Sequence, residues 1–426
     1  MEILFLSDWE TQGGAAVAAG RLAATLCRRG QQVLWAVNVA GADANPWRTV
    51  TIVRSRPERI VDRLCAEPGE QAVSRWLCQR RLLRLLASMR PDVIHLHNLH
   101  GARSAGWSSD LLRLCAARAP TLWTLHDMWS FTGRCAYACE CRRFTTGCDA
   151  TCPTPGEYPA LEPRRIAGAW ARRRRTLARC PAVAAVAPSR WLAAEARAGL
   201  WAGHRIEVIP YGVPLDTYRP LDRHLAREAL GLDARRPTLL VAAADLSERR
   251  KGFSLLLEAL GRLRRDGLTL MTLGRMPRLE APEGLRVEPL SHVEDDRTKV
   301  LAYSAADLLV HPALADNFPN VVLEALACGT PTLAFARGGL PEMVRPGRTG
   351  WVASEVSAEA LATTLGNALD ELAAGMDLRK SCRTLVESEY GADLQADRYL
   401  ALYDELRRAF VAGRGSGSQV TASPGR

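Results

Sequence analysis

The sequence predicts an α/β fold built from two doubly wound, Rossmann-like domains. Three observations predict it. Short apolar runs alternate with amphipathic, helix-period segments, the signature of parallel strands joined by crossover helices. The alternation breaks near residues 190–210 and then restarts. The chain has 426 residues, enough for two domains with full cores.

In the first half, EILFLSD (2–8) reads as a strand and AAVAAGRLAATLCRRG (15–30) as a helix ended by Gly30. QVLWAVNV (32–39) is a strand, and a helical region covers about 57–89, before Pro91. DVIHLHN (92–98), PTLWTLHD (120–127) and AVAAVAPS (182–189) are strands, with helices at 110–118 and 162–180. The second half opens with RIEVIPYGV (205–213) and continues with strands at 237–245, 268–274, 285–290, 306–313, 330–336 and 350–354. A helix is expected at 254–267 and another at about 386–411. These readings give domains at 1–200 and 201–385, a C-terminal helix at 386–412 packing back on the first domain, and a disordered tail at 413–426. Two such domains facing each other leave a cleft at the C-terminal ends of both sheets, where open α/β sheets take ligands.

Hydrophobic residues make up 47% of the chain and charged residues 24%, both ordinary globular values. No apolar run approaches the length of a membrane span, and MEILFLSDWE lacks the basic flank of a signal peptide. The net charge of +10 is lopsided: residues 1–205 hold 29 Lys+Arg against 16 Asp+Glu, while the remainder hold 27 against 30. A basic first half fits an anionic partner, and also fits a plain preference for arginine. Its steepest cluster, EPRRIAGAWARRRRTLARC (162–180), reads either as a helix lying on an anionic membrane or as a solvated surface helix. Nucleic acid is not expected, because the basic excess lacks interleaved aromatics.

Several strand ends carry chemistry. Gly13 and Gly14 turn the chain between the first strand and its helix, which fits a ligand at the helix N-terminus or a tight turn. His126 and Asp127 end one strand; His97, Asn98 and His100 lie at the end of another and could, with Asp127, line an acceptor side. In LSERRKGF, Arg250 and Lys251 sit at a helix start, where cations oppose the helix dipole unless an anion lies between them. In DNFPNVVLEALACGTPTLAF, Asn317 reads as the N-cap of a helix that ends at Cys328-Gly329, with Pro319 in its first turn and Glu324 two turns in. A carboxylate such as Glu324 can accept from two vicinal hydroxyls, as on a ribose. Gly338, Gly339 and Glu342 lie just past a further strand end.

Taken in order, the GG at 13–14, the HD at 126–127, the RKG at 250–252, the D-x7-E of Asp316 and Glu324 and the GGLPE at 338–342 resemble the retaining glycosyltransferases of family 4, over roughly residues 1–410. The resemblance implies a GT-B fold whose first domain binds an acceptor and whose second holds a nucleotide-diphospho-sugar. It implies that Arg250 and Lys251 meet the diphosphate, Glu324 the ribose, and Asp316 with the backbone at Phe318, Pro319 and Asn320 the donor sugar. Gly13, Gly14, Gly338, Gly339 and Glu342 would complete the donor site, with His126 near the reacting centre. No catalytic metal is implied. Two positions depart from the family: its first acid is usually Glu rather than Asp316, and Asp245 stands where a phosphate-binding Arg is common.

Five of the twelve cysteines crowd into TGRCAYACECRRFTTGCDATCP. This stretch resembles an insertion in the colanic-acid and exopolysaccharide subgroup. Four of them, Cys135, Cys141, Cys148 and Cys152, fit a structural zinc, with disulfides the alternative. The expectation is therefore a retaining transferase in the cytoplasm, in contact with the inner face of the plasma membrane, acting on a saccharide or lipid-linked saccharide. An inactive nucleotide-sugar-binding subunit of a polysaccharide assembly is the rival.

Overall fold

A computed structural model describes residues 1–42, 44–52, 72–100, 107, 109–276, 282–290, 293 and 295–417. The helical region expected at 57–89 falls partly outside these residues; its described part is the helix Ala72–Ser88. The chain forms two compact units, residues 1–188, 192–209 and 395–426 in the first and 189–191 and 210–394 in the second.

The first unit contains β1 (Glu2–Trp9), β2 (Gln32–Val39), β3 (Arg48–Thr51), β4 (Val93–Leu96), β5 (Thr121–Thr124), β6 (Ala184–Ala187) and β7 (Ile206–Val208), in the order 3-2-1-4-5-6-7. Every pairing is parallel. β1 is buried from Ile3 to Asp8, and β4, β5 and β6 are buried throughout, as parallel strands covered on both faces must be. The second unit repeats the plan with β8 (Thr238–Asp245), β9 (Thr269–Arg275), β10 (Arg286–Pro289), β11 (Leu308–His311), β12 (Thr332–Phe335) and β13 (Gly350–Ala353), in the order 10-9-8-11-12-13. These pairings are parallel too. In each sheet the order reverses once, between β1 and β4 and between β8 and β11. Those are the switch points where loops part and ligands fit.

The strand expected to open the second sheet instead closes the first: Ile206, Glu207 and Val208 pair with Ala185, Val186 and Ala187. The helix expected at 386–411 is two helices, Arg379–Glu389 and Ala392–Gly417, the second running into the stretch expected as a tail; residues 418–426 lie outside the described set. Among the described residues, five α-helices had no counterpart in the sequence reading: Arg190–Ala198, Arg223–Ala229, Asp296–Ala305, the short Leu340–Met343 and Ala358–Ala373.

The core of the first unit gathers Ile3, Phe5, Leu22, Leu26, Trp35 and Val37 with Tyr399, Leu402, Tyr403 and Leu406 from the final helix. Burying each large side chain contributes roughly 1.5–3 kcal/mol. The four from that helix together match a sizeable share of the roughly 5–15 kcal/mol that holds a domain folded. Polar bonds fix its register: His95 Nδ1 lies 2.7 Å from the Tyr403 hydroxyl, His95 Nε2 2.7 Å from Thr124 Oγ1, and Thr124 Oγ1 2.8 Å from the Tyr399 hydroxyl.

Candidate functional site

In the second unit the site is built at the switch point. After β8 the chain makes a single 3-10 turn, Arg249–Lys251, and then enters the helix Phe253–Leu263 through Gly252 in the left-handed region. A Cβ on Gly252 would stand 1.9 Å from the Pro312 carbonyl oxygen, so only glycine lets the two switch-point loops touch. The Leu314 N–H donates to the Arg250 carbonyl at 2.8 Å and completes the junction. The contact brings Lys251 Nζ to 2.7 Å from Asp316 Oδ2, with Arg250 Nη1 at 3.5 Å and His311 Nε2 at 3.4 Å from the same oxygen. Arg250 also donates to the Ala315 carbonyl at 2.8 Å and pairs with Glu248 at 2.9 Å. Burial opposes the Asp316 charge. Lys251, His311 and Arg250 outweigh it and hold the carboxyl well below the usual range.

Glu324 lies in the first turns of the helix Asn320–Ala327, 4% exposed, and accepts from the Tyr303 hydroxyl at 2.7 Å. The cap differs from expectation: the helix begins after Pro319, and Asn317 Oδ1 accepts from Ser189 Oγ at 2.6 Å rather than capping it. Glu324 is accordingly one turn in, not two. Phe318 is buried edge-on between Tyr211 and Tyr390. Gly338 and Gly339 serve the same loop, because Cβ atoms there would stand 1.8 Å from Asp316 O and 1.9 Å from Asn317 O. Glu342 is engaged elsewhere: its oxygens accept from the Arg190 and Trp191 N–H groups at 3.0 Å, at the first turn of a helix where a carboxylate is favoured.

In the first unit the predicted residues meet in two pairs. His97 Nδ1 lies 3.1 Å from His126 Nε2, and His100 Nε2 lies 2.9 Å from Asp127 Oδ2. Asp127 Oδ1 accepts from the Trp129 N–H at 2.8 Å, and the Trp129 ring stacks on His100. Burial drives the His126 pKa down to about 4, so its imidazole is neutral at pH 7. Asn98 Oδ1 accepts from the His100 N–H at 3.2 Å. Gly13 has a φ of 87°, and nothing among the described residues lies within 4 Å of where its Cβ would be. Gly14 begins the first helix.

The Pro163–Ala178 helix settles one open choice. Ile166 and Leu177 are buried and the Trp170 indole donates to the Phe144 carbonyl, so its apolar side faces the protein interior; Arg173 is buried with them, while Arg164, Arg174 and Arg175 are exposed. Cys135, Cys141, Cys148 and Cys152 line one small cavity beside it, while Cys139 is exposed. As placed, no three His, Cys, Asp or Glu side chains among the described residues meet at metal-ligand distances.

Sequence reasoning missed Tyr303 and His311, which touch the two carboxylates. His311 had a visible signal, a histidine ending an apolar strand. Tyr303 had none, since only packing brings it to Glu324.

Two family models match the chain: "Glycosyltransferase Family 4" over residues 12–217 and "Glycosyl transferases group 1" over 236–371. Two parallel sheets with this strand order, each matched by one of these models, define a glycosyltransferase of the GT-B fold. The chain thus carries a glycosyltransferase family 4 domain in its first half and a glycosyl transferases group 1 domain in its second. It is 30% identical over 257 residues to WcaC of Escherichia coli, a glycosyl transferase assigned to colanic acid biosynthesis, a match covering 57% of this chain and 60% of that one. It is 40% identical over 159 residues to a D-inositol 3-phosphate glycosyltransferase of Mycobacterium, covering 34% of this chain and 35% of the relative. The matched stretch thus spans under two thirds of either relative. Among solved structures, a sucrose-phosphate synthase of Thermosynechococcus elongatus superposes with a TM-score of 0.72 at 21% identity, covering 96% of this chain and all of that one. HepE of Anabaena, solved in complex with UDP-glucose, gives 0.67 at 18% identity over 95% of this chain and all of its own.

Proposed function

We propose that the protein is a retaining glycosyltransferase that moves a sugar from a nucleotide-diphospho-sugar to a saccharide or lipid-linked saccharide during cell-surface polysaccharide biosynthesis. The observation that carries this reading is the cluster of Lys251 and Arg250 around Asp316 at the switch point of the second sheet. Cations held at that place, and only partly exposed, suit a diphosphate leaving group. The bond from the anomeric carbon to the diphosphate oxygen breaks, and the diphosphate leaves with the electron pair. The acceptor hydroxyl bonds to that carbon on the same face, and its proton passes to the departing phosphate oxygen. Lys251 and Arg250 stabilise the developing charge, the largest contribution in such a displacement. Glu324, steadied by Tyr303, accepts from the ribose hydroxyls. His126, neutral at pH 7, hydrogen-bonds a sugar hydroxyl without adding charge. The phosphate charge falls to these side chains, with no catalytic metal assigned. The similarity to WcaC supports the polysaccharide context. The basic first half supports electrostatic contact with an anionic membrane on the cytoplasmic side, with no apolar face of the Pro163–Ala178 helix involved.

The inactive-subunit alternative has one observation in its favour: Asp245, in the place of a phosphate-binding Arg, accepts from the Ser247 hydroxyl at 2.5 Å. Titration with UDP, GDP and ADP of the wild type, Lys251→Ala and Glu324→Gln decides the matter, followed by incubation with the matching nucleotide-sugars. One diphosphate should bind the wild type and weaken by about tenfold or more in Lys251→Ala, and the transferred sugar should keep its anomeric configuration. If no diphosphate binds the folded wild type, the donor site is misassigned. If one binds but its sugar is neither hydrolysed nor transferred, the inactive subunit is the better account.

A further inference from the structure

The loop from Thr132 to Cys152 folds around a cavity of about 20 Å³, room for one small sphere, lined by the sulfur-bearing residues Cys135, Cys141, Cys148 and Cys152. Two buried arginines flank it. Arg134 lines the cavity, is 2% exposed, and gives its guanidinium to the Glu157 carbonyl at 2.6 Å and to the Thr154 and Pro159 carbonyls. Its Nε is buried with no hydrogen-bond partner among the described residues. Arg173, 7% exposed, donates to the Thr132 and Gly133 carbonyls at 2.5 and 2.7 Å and lies 4.0 Å over the Trp129 ring. Neither arginine forms an ion pair among the described residues. The carboxylate whose field reaches Arg173, Asp127, is bonded to His100.

Two guanidinium charges buried beside four thiols, without a carboxylate on either, are an unbalanced arrangement. We propose that the four cysteines bind one Zn²⁺ as a tetrathiolate that closes this loop. The charges then balance. Four S–H bonds release their protons to solvent, four Zn–S bonds form, and the resulting unit carries two negative charges against Arg134 and Arg173. No electron changes hands. The backbone N–H of Gly133 already donates to Cys148 Sγ at 3.2 Å, the kind of bond that steadies a metal-bound thiolate. Gly133 is also the residue with least room for a side chain here: a Cβ would stand 2.6 Å from both Cys148 Cβ and Ile166 Cγ2. The sulfurs draw inward on binding to reach Zn–S distances of about 2.3 Å. Through Arg173 and Trp129, the closed loop braces His100 and Asp127.

The full chain, purified under reducing conditions without chelator, is assayed for zinc, alongside Cys139→Ser and Cys148→Ser. The expected content is about one zinc per chain in the wild type and in Cys139→Ser, falling several-fold in Cys148→Ser. Because Cys148→Ser could misfold, the folded wild type is also stripped and reloaded with Co²⁺. Sulfur-to-cobalt charge transfer with the visible bands of tetrahedral cobalt is the expected spectrum. Zinc absent from the wild type and no thiolate–cobalt spectrum would overturn the site. So would equal loss of zinc in Cys139→Ser, or disulfides among the four cysteines in protein kept anaerobic. None of these readouts depends on glycosyl transfer.

Discussion

Lys251 Nζ and Asp316 Oδ2 meet at 2.7 Å although 65 residues separate them in the chain. The pair spans the two loops at the switch point of the second sheet, and Lys251 helps to hold Asp316 ionised. Replacing Lys251 with Met leaves Asp316 buried with weaker compensation from Arg250 and His311. Removing one member of a buried pair costs about 3–5 kcal/mol, and Arg250 should reduce that to roughly 2. Denaturant unfolding of the second unit checks the loss; activity should fall further than stability does.

Asp316 also fixes an acid limit. Its folded pKa lies well below that of the unfolded chain, so the stabilisation is present above the ordinary carboxylate range and is lost as pH falls through the depressed value. Below about pH 4, Asp316→Asn should show a flatter stability profile than the wild type, while the two run nearly parallel between pH 7 and about pH 5, measured by urea midpoints.

His126 acts over a higher window. Its folded pKa of about 4 lies below the 6.5 of a free histidine, so the unfolded state binds the proton first on acidification. Its contribution is complete above about pH 6.5 and declines toward pH 4, on the order of 3 kcal/mol in all. The imidazole should show no NMR titration between pH 8 and pH 5.5, and His126→Gln should shrink the loss of stability between pH 7 and pH 5.

Tyr303→Phe deletes the hydroxyl that donates to Glu324. A buried carboxylate that loses such a partner costs roughly 1–3 kcal/mol. The donor KM should rise while kcat changes little, because the hydroxyl acts on binding rather than on the departing group.

Gly252→Ala should be severe, since the added methyl meets the Pro312 carbonyl at 1.9 Å in a left-handed conformation. A loss above about 2 kcal/mol is expected, together with weakened diphosphate binding as Lys251 moves from Asp316. Gly261→Ala, where nothing among the described residues beyond its own helix lies within 4 Å of the added methyl, is the control and should fold normally.

Most strands were legible because strands buried on both faces have apolar centres, as Ile3–Leu6 and Leu239–Ala243 are in β1 and β8, whereas the exposed, polar β3 had no such signal and was missed. The Arg250-Lys251-Gly252 run and the Asp316/Glu324 spacing were legible because they are local. Sheet membership was not: RIEVI fits either sheet, and only its pairing to Ala185–Ala187 decides. The Asn317 cap failed for a related reason, since its side chain found Ser189, 128 residues away, before its own helix. The amphipathic Ala358–Ala373 helix was within reach of periodicity, with Ser357 accepting from the Ala360 N–H as its cap, and was passed over.

The first unit is discontinuous, and its core takes Tyr399, Leu402, Tyr403 and Leu406 from the last helix. A ribosome that has finished residue 209 has therefore not finished the unit. At roughly 5–20 residues per second, the final helix emerges some 10 to 40 s later. Through that interval the groove that Tyr399 and Tyr403 will fill stands open on the nascent chain, a natural place for a chaperone to hold. A truncation before residue 395 would leave it open permanently, with every residue of the second unit present and the core of the first unfinished.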